Sequence, residues 1–386
     1  MKALIFLIIY LFYLKKTTSE NNILERQRRS ILVKSNPPYP LLPRSVKFFV
    51  HKDIISKDIE LILATLSKSV CLKFEKQNME LSKIGINFYL TDNKTDEVNL
   101  SSSISQPTKV YLTKSTLRSR RLVNYHIGLA LGLTPEISRH DRNNFVTILW
   151  NNIDKPFKKY FKLANFSKKK IFNTAFDFGS TMLLSPSYGS KNNVHAYKSK
   201  LSPYYIRMNG KIQEFSYNDI KLLNDLYCDE ICKNKIKGCK NSEYPSNKCT
   251  VCRCPKEFTG KQCKFLARHV GQCGNKRFFW ASKKYKYIAI NNFDGLCYFS
   301  IYSKPGTAIE ITIEKMRLHQ ATYCGEEFGL EIKHHHDKEA TGLYLRGNYN
   351  NVTVPGVFSH VVIRYNIPKN FYRELKLSFR RVKRKK

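Results

Sequence analysis

The apolar positions of this chain change period as the sequence proceeds. Ile59, Ile62, Leu63, Leu66 and Val70 recur every three or four residues, the spacing of one helix face, and predict a helix ending just before Cys71. Lys47–Val50 and Ile86–Leu90 are short β-rich runs and predict strands. In the middle of the chain, Leu129, Leu131 and Leu133 read as residues packing a buried helix. Gly128 lies inside that run, at a cost of about 1 kcal/mol relative to alanine, so tertiary packing must hold the helix. Towards the C-terminus strict alternation takes over. Ile309, Ile311 and Ile313 alternate with Glu310, Thr312 and Glu314, and Leu375, Leu377 and Phe379 with Lys376 and Ser378. Such short alternating segments predict a β-sandwich.

One apolar run stands apart. Ala3 to Leu14 follows Met1-Lys2 and precedes the small residues Thr17, Thr18 and Ser19, the layout of a signal peptide over residues 1–19. It is shorter than the ~20 residues needed to span a bilayer, and no other stretch qualifies. The expectation is a secreted, extracellular protein without a membrane span. Arg26-Gln27-Arg28-Arg29 has the form of a proprotein-convertase site. Cleavage between Arg29 and Ser30 would remove a short propeptide, residues 20–29.

The 386 residues, 42% of them hydrophobic, suffice for two or three domains with real cores. A formal net charge of +37 points to attraction for polyanions, such as glycosaminoglycans or acidic matrix, over short range in physiological salt. Secretion argues against nucleic acid. The 11 cysteines suit an oxidising compartment, and the odd number leaves at least one without an internal partner. Asn93, Asn99, Asn165 and Asn351 each open an Asn-x-Ser/Thr glycosylation sequon.

The segment with the most chemical content is Tyr125-His-Ile-Gly-Leu-Ala-Leu-Gly-Leu-Thr-Pro-Glu-Ile-Ser-Arg-His-Asp-Arg142. It resembles the zinc helix of the astacin family of metallopeptidases, whose pattern is H-E-x-x-H-x-x-G-x-x-H-E followed by x-S-R-x-D-R. Gly132, Glu136, Ser138, Arg139, Asp141 and Arg142 fit. In that frame the three zinc-ligand positions hold Tyr125, Leu129 and Pro135, and the general-base position holds His126. A catalytic zinc takes about three protein ligands and a water. Leu129 and Pro135 have no donor atom, and Tyr125 could bind only as a phenolate, with a reference pKa near ~10. The frame starting at His126 is worse, because it puts Ala130 and Glu136 at the other ligand positions and Ile127 at the base. Further on, Ser180-Thr181-Met182-Leu183-Leu184 resembles the family's Met-turn, S-x-M-H-Y. Met182 is present, while Leu183 and Leu184 occupy the histidine and tyrosine positions.

The resemblance implies a fold and a domain order. The fold class is α+β: a two-lobed metzincin, astacin-like domain over 30–228, a small disulfide-rich EGF-like module over 229–264, and a CUB β-sandwich with a basic tail over 265–386. This order recurs in nematode astacin-like zinc metalloproteinases. It implies disulfides Cys71–Cys228, Cys232–Cys249, Cys239–Cys252, Cys254–Cys263 and Cys273–Cys297, and leaves Cys324 as the odd thiol. From spacing alone the six cysteines at 232–263 allow fifteen pairings, and Cys249-x-x-Cys252 would also suit a zinc ribbon, which secretion disfavours. His334-His335-His336 reads as a loop or strand end, since adjacent histidines on a strand face opposite ways. Three functions follow. The first is a catalytically inactive family member, without cofactor, that binds extracellular proteins or matrix through its EGF-like and CUB modules. The second is an active zinc metalloendopeptidase. The third is a polyanion-binding matrix protein.

Overall fold

The computed structural model describes residues 30–32, 39, 44–101, 103–164, 170–172, 174–208, 214–228, 231, 244–245, 249–291, 295–318, 328–367 and 373–384. Arg29, Asn165, Cys232, Cys239 and Cys324 lie outside them. Helices and strands are mixed in the first half, and strands predominate in the second.

The first unit opens on a five-stranded sheet in the order Lys73–Lys76, Ser45–Val50, Ile86–Leu90, Thr108–Leu112, Glu97–Asn99. Its first four strands are parallel, and Glu97–Asn99 closes one edge antiparallel. The helix Lys57–Ser69 buries Ile59, Ile62, Leu63 and Leu66, as their spacing dictates, and Val70 is buried just past its end. The helix Arg120–Ala130 and the helix Tyr217–Tyr227 add Val123, Ile127, Leu222 and Leu223 to the same core. Ser216 caps the latter helix reciprocally with Asp219. Cys71 and Cys228 are disulfide-bonded across 157 residues.

The helix Arg120–Ala130 is shorter than the leucine pattern predicts. Gly132 takes a φ of 88°, Leu133 N–H donates to Gly128 O and Gly132 N–H to Leu129 O, both at 2.9 Å. This is a Schellman stop, which a left-handed glycine favours. Leu131 and Leu133 are therefore buried beyond the helix end rather than on it.

The C-terminal unit has two sheets. One runs in the order Val270–Gly271, Gly295–Tyr302, His360–Ile367, Gly329–Lys333, Leu343–Leu345, with Phe278–Trp280 also paired to Gly295–Tyr302. The other runs Lys286–Asn291, Arg373–Lys383, Thr307–Leu318, Tyr349–Val354. Ile309, Ile311, Ile313, Leu375, Leu377 and Phe379 all face the interior, and Cys273 is disulfide-bonded to Cys297. Their core continues into the lower part of the first unit, where Phe178 and Tyr205 pack at 4.4 Å and Tyr205 Oη meets His334 Nε2 at 2.7 Å. Between the two units, Cys254–Cys263 is a disulfide, and Cys249 and Cys252 are also disulfide-bonded.

Candidate functional site

The motif residues that resemble the family build a floor rather than a reactive centre. Arg139 is 1% exposed. Its guanidinium holds Asp141 bidentately at 2.8 Å through Nε and Nη2, reaches Glu136 Oε2 at 3.3 Å, and donates to the carbonyls of Thr174 and Ala175. Planar two-point pairing of this kind is what arginine supplies and lysine cannot. Burial pushes the Glu136 carboxyl up to about 8, against the opposing pull of Arg139. Arg142 Nη1 donates to Ile137 O at 2.6 Å.

Met182 sits under the helix. A side chain at Gly128 would place its Cβ 2.4 Å from Met182 Sδ, so the glycine read above as costly is what admits the methionine. The turn is pinned from two sides. Arg121 Nη2 donates to Ser180 O at 2.5 Å and Leu183 O at 3.0 Å. Asp219 accepts from Ser180 Oγ at 2.6 Å and from Thr181 N–H at 3.1 Å. Leu183 and Leu184 are both buried, and the Leu184 carbonyl accepts from Tyr197 Oη at 2.7 Å.

Above this floor the ligand positions diverge in character. Tyr125 is 1% exposed, and burial pushes its hydroxyl far above the usual phenol range. That burial disfavours the phenolate form a cation would need. Leu129 is half-buried against the upper core, and Pro135 precedes the short 3-10 turn Glu136–Ser138. These three residues do not fit a zinc ion. Among the described residues no three His, Cys, Asp or Glu side chains converge as a metal site.

His126 packs edge-on to Tyr125, ring centroids 5.1 Å apart. Its Nδ1 donates to Leu122 O at 2.8 Å, so Nε2 is the bare nitrogen of the neutral ring. Nε2 lies 3.6 Å from Asp96 Oδ2, beyond hydrogen-bond reach. Burial pushes the His126 pKa down, only partly opposed by Asp96, so the ring stays neutral.

Asp96 is the hub that sequence reasoning missed. It leads into the edge strand Glu97–Asn99 and is 3% exposed. Its carboxylate accepts from Thr113 N–H at 2.7 Å and Thr116 Oγ1 at 2.8 Å. Two tyrosines close over it. Tyr160 Oη donates to Asp96 O at 2.6 Å and Tyr188 Oη to Asp96 Oδ2 at 3.4 Å. Their rings meet at 5.4 Å, nearly perpendicular, and Phe157 packs on both. Lys159 Nζ adds a bond to Thr95 Oγ1 at 3.1 Å. The segment 157–160 and Tyr188 are thus tied to the edge strand by aromatic and polar contacts.

Asn93, Asn99 and Asn351 are all exposed. Ser30 begins the strand Ser30–Leu32, which pairs with Lys170–Phe172. His334 follows directly on the strand Gly329–Lys333 and is buried. No helix among the described residues is long and apolar enough to cross a membrane.

Residues 43–228 match the profile of the astacin peptidase family. Zinc metalloproteinase dpy-31 of Brugia malayi is 30% identical over 220 residues, covering 56% of this chain and 36% of that protein. Zinc metalloproteinase nas-37 of Caenorhabditis elegans is 26% identical over 344 residues, covering 83% of this chain and 42% of that protein. The chain thus spans less than half the length of these curated relatives. Among solved structures, High choriolytic enzyme 1, a hatching enzyme zinc-protease from Oryzias latipes, aligns with a TM-score of 0.39 at 17% identity, over 47% of this chain and 88% of that one.

Proposed function

The chain belongs to the astacin family through residues 43–228, and from that premise we propose that it acts as an extracellular binding protein and not as a metalloendopeptidase. The observation that carries this reading is the replacement of the zinc ligands by Tyr125, Leu129 and Pro135, with Tyr125 buried and its phenolate form disfavoured by that burial. Hydrolysis by this route needs a metal-activated water and a base to take its proton. Among the described residues there is neither a donor set nor, in neutral His126, a base facing an activated water.

The strand-rich C-terminal unit and its Cys273–Cys297 bond support a CUB-like sandwich, and Cys254–Cys263 an EGF-like module before it. Modules of both kinds recognise proteins, and the disulfides suit secretion. The partners on this reading are extracellular proteins or matrix.

The test is a peptidase assay on the purified chain, with zinc supplied, against a denatured-protein substrate. The reading expects no cleavage above a chelator-treated control. Chelator-sensitive cleavage that persists after re-purification would overturn it.

A further inference from the structure

One edge of the C-terminal unit carries aromatic rings to solvent. The strand Phe278–Trp280 runs parallel to Gly295–Tyr302, with Phe278 opposite Ser300 and Trp280 opposite Tyr302. Side chains alternate across a strand. Phe279 turns inward, 6.3 Å from Phe299 and 5.8 Å from Phe379 between ring centroids. Phe278 and Trp280 turn outward and stay 53% and 64% exposed. Large rings of this kind are normally the first groups a fold buries. Trp280 lies 5.9 Å from Tyr302, which stacks flat on His360 at 4.5 Å, so the rings form a platform.

The same segment concentrates positive charge. From Arg268 to Phe293 there are six Lys or Arg and no Asp or Glu. Lys283, Lys284 and Lys286 follow Trp280 directly and are exposed. Lys286 Nζ donates to Trp280 O at 2.7 Å, and Ser282 O accepts from Arg381 N–H at 2.8 Å, which fixes the lysine turn against the second sheet. Acids of that sheet are already paired: Glu310 with Arg380 at 2.8 Å, Glu314 with Lys376 at 2.9 Å and Glu374 with Lys315 at 2.8 Å. They leave the field of the turn positive.

We propose that Phe278, Trp280 and the Lys283–Lys286 turn form a binding site for a sulfated polysaccharide, an assignment that rests on the binding-protein reading above and names its ligand class. A sulfated sugar chain presents apolar C–H faces and anionic groups side by side, which is what the ring platform and the adjoining ammonium groups match. An anionic membrane fits less well. Its apolar anchors must sink about 5–10 Å past the headgroups, whereas Phe278 and Trp280 lie on a sheet edge with the lysines beside them.

The experiment measures binding of a heparin oligosaccharide of defined length at several salt concentrations. Trp280→Ala should weaken binding by about tenfold, equivalent to ~1.4 kcal/mol, with the salt slope unchanged. Lys283→Ser with Lys284→Ser should flatten the slope of log affinity against log salt by about one to two, as expected when counterion release is lost. Removing the same charge from an exposed pair at the sheet of the first unit, Lys47→Ser with Lys52→Ser, should change affinity less than about twofold, ~0.4 kcal/mol.

Equal losses from both lysine pairs, or parental affinity in Trp280→Ala, would overturn the proposal. So would Trp280-dependent binding to phosphatidylserine–phosphatidylcholine vesicles with heparin binding independent of Trp280. Should Trp280→Ala fail to fold, the exposed lysine pair decides alone. Absence of heparin binding in a chain that cleaves nothing sinks only this site. Zinc-dependent cleavage alongside Trp280-dependent heparin binding sinks only the earlier reading.

Discussion

At position 128 a glycine sits mid-helix, where it costs about 1 kcal/mol of intrinsic helix stability. The structure gives its reason, because Met182 Sδ would lie 2.4 Å from any Cβ there, with Phe215 Cε1 at 3.2 Å. Gly128→Ala should therefore destabilise the domain by about 1–2 kcal/mol, the overpacking cost exceeding the propensity gain, as read by denaturant unfolding. A variant more stable than the parent would show that Met182 gives way freely. Individual residues differ in how legible they are. Tyr125, Leu129, Pro135 and Met182 are placed by motif frame alone. The buried clamp of Arg139 on Asp141 and Glu136 is visible in sequence only as a match, since nothing in the letters says which groups it neutralises. Asp96, Tyr160 and Tyr188 come together from positions up to 92 residues apart and lie in segments without periodicity, so no local signal marks them.

Among elements, the periodic ones are the legible ones. The helix Lys57–Ser69 and the strands carrying Ile309–Ile313 and Leu375–Phe379 bury the faces their patterns predict. The end of the helix Arg120–Ala130 is set instead by Gly132, whose backbone angle overrides the apolar run beyond it. Cys71–Cys228 joins the end of the first helix to the end of the last one in the unit. Closing a loop of 157 residues restrains the unfolded chain by about 5 kcal/mol in the chain-entropy account. Cys71→Ser with Cys228→Ser should lower the melting temperature sharply or block secretion. A double variant secreted at parental yield and melting temperature would contradict this.

Across the molecule, the apolar core of the C-terminal unit continues into part of the first unit, whose sheet and helices keep a second core, and buried charge extends the contact. Lys221 meets Glu339 at 2.5 Å, and Lys333 meets Glu257 at 3.1 Å. Around Lys338, within the C-terminal unit, the structure is sensitive to acid. Burial pushes His335 down to about 4 and His360 down to about 3, with Lys338 adding repulsion in both cases. Both histidines bind their protons less readily folded than unfolded, so the stability they confer is present above the ordinary histidine range and lost as pH falls from about 6.5 towards 4. Glu339, raised by burial to about 7 despite Lys221, acts oppositely and gains stability as pH falls from there. His335→Gln with His360→Gln should flatten the parent's acid loss between about pH 6.5 and 4. Unchanged slopes in melting temperature against pH would contradict that assignment. None of this coupling is legible in the sequence, because it arises from segments far apart in the chain that only the fold brings together.

On the function proposed above, the family scaffold persists here without its metal chemistry. The most direct measurement is elemental analysis of the purified chain after dialysis against zinc and then against zinc-free buffer. Far less than one zinc per chain is the result expected from Tyr125, Leu129 and Pro135. About one tightly held zinc per chain, lost on Tyr125→Phe, would show that a catalytic-type site survives and would contradict the account.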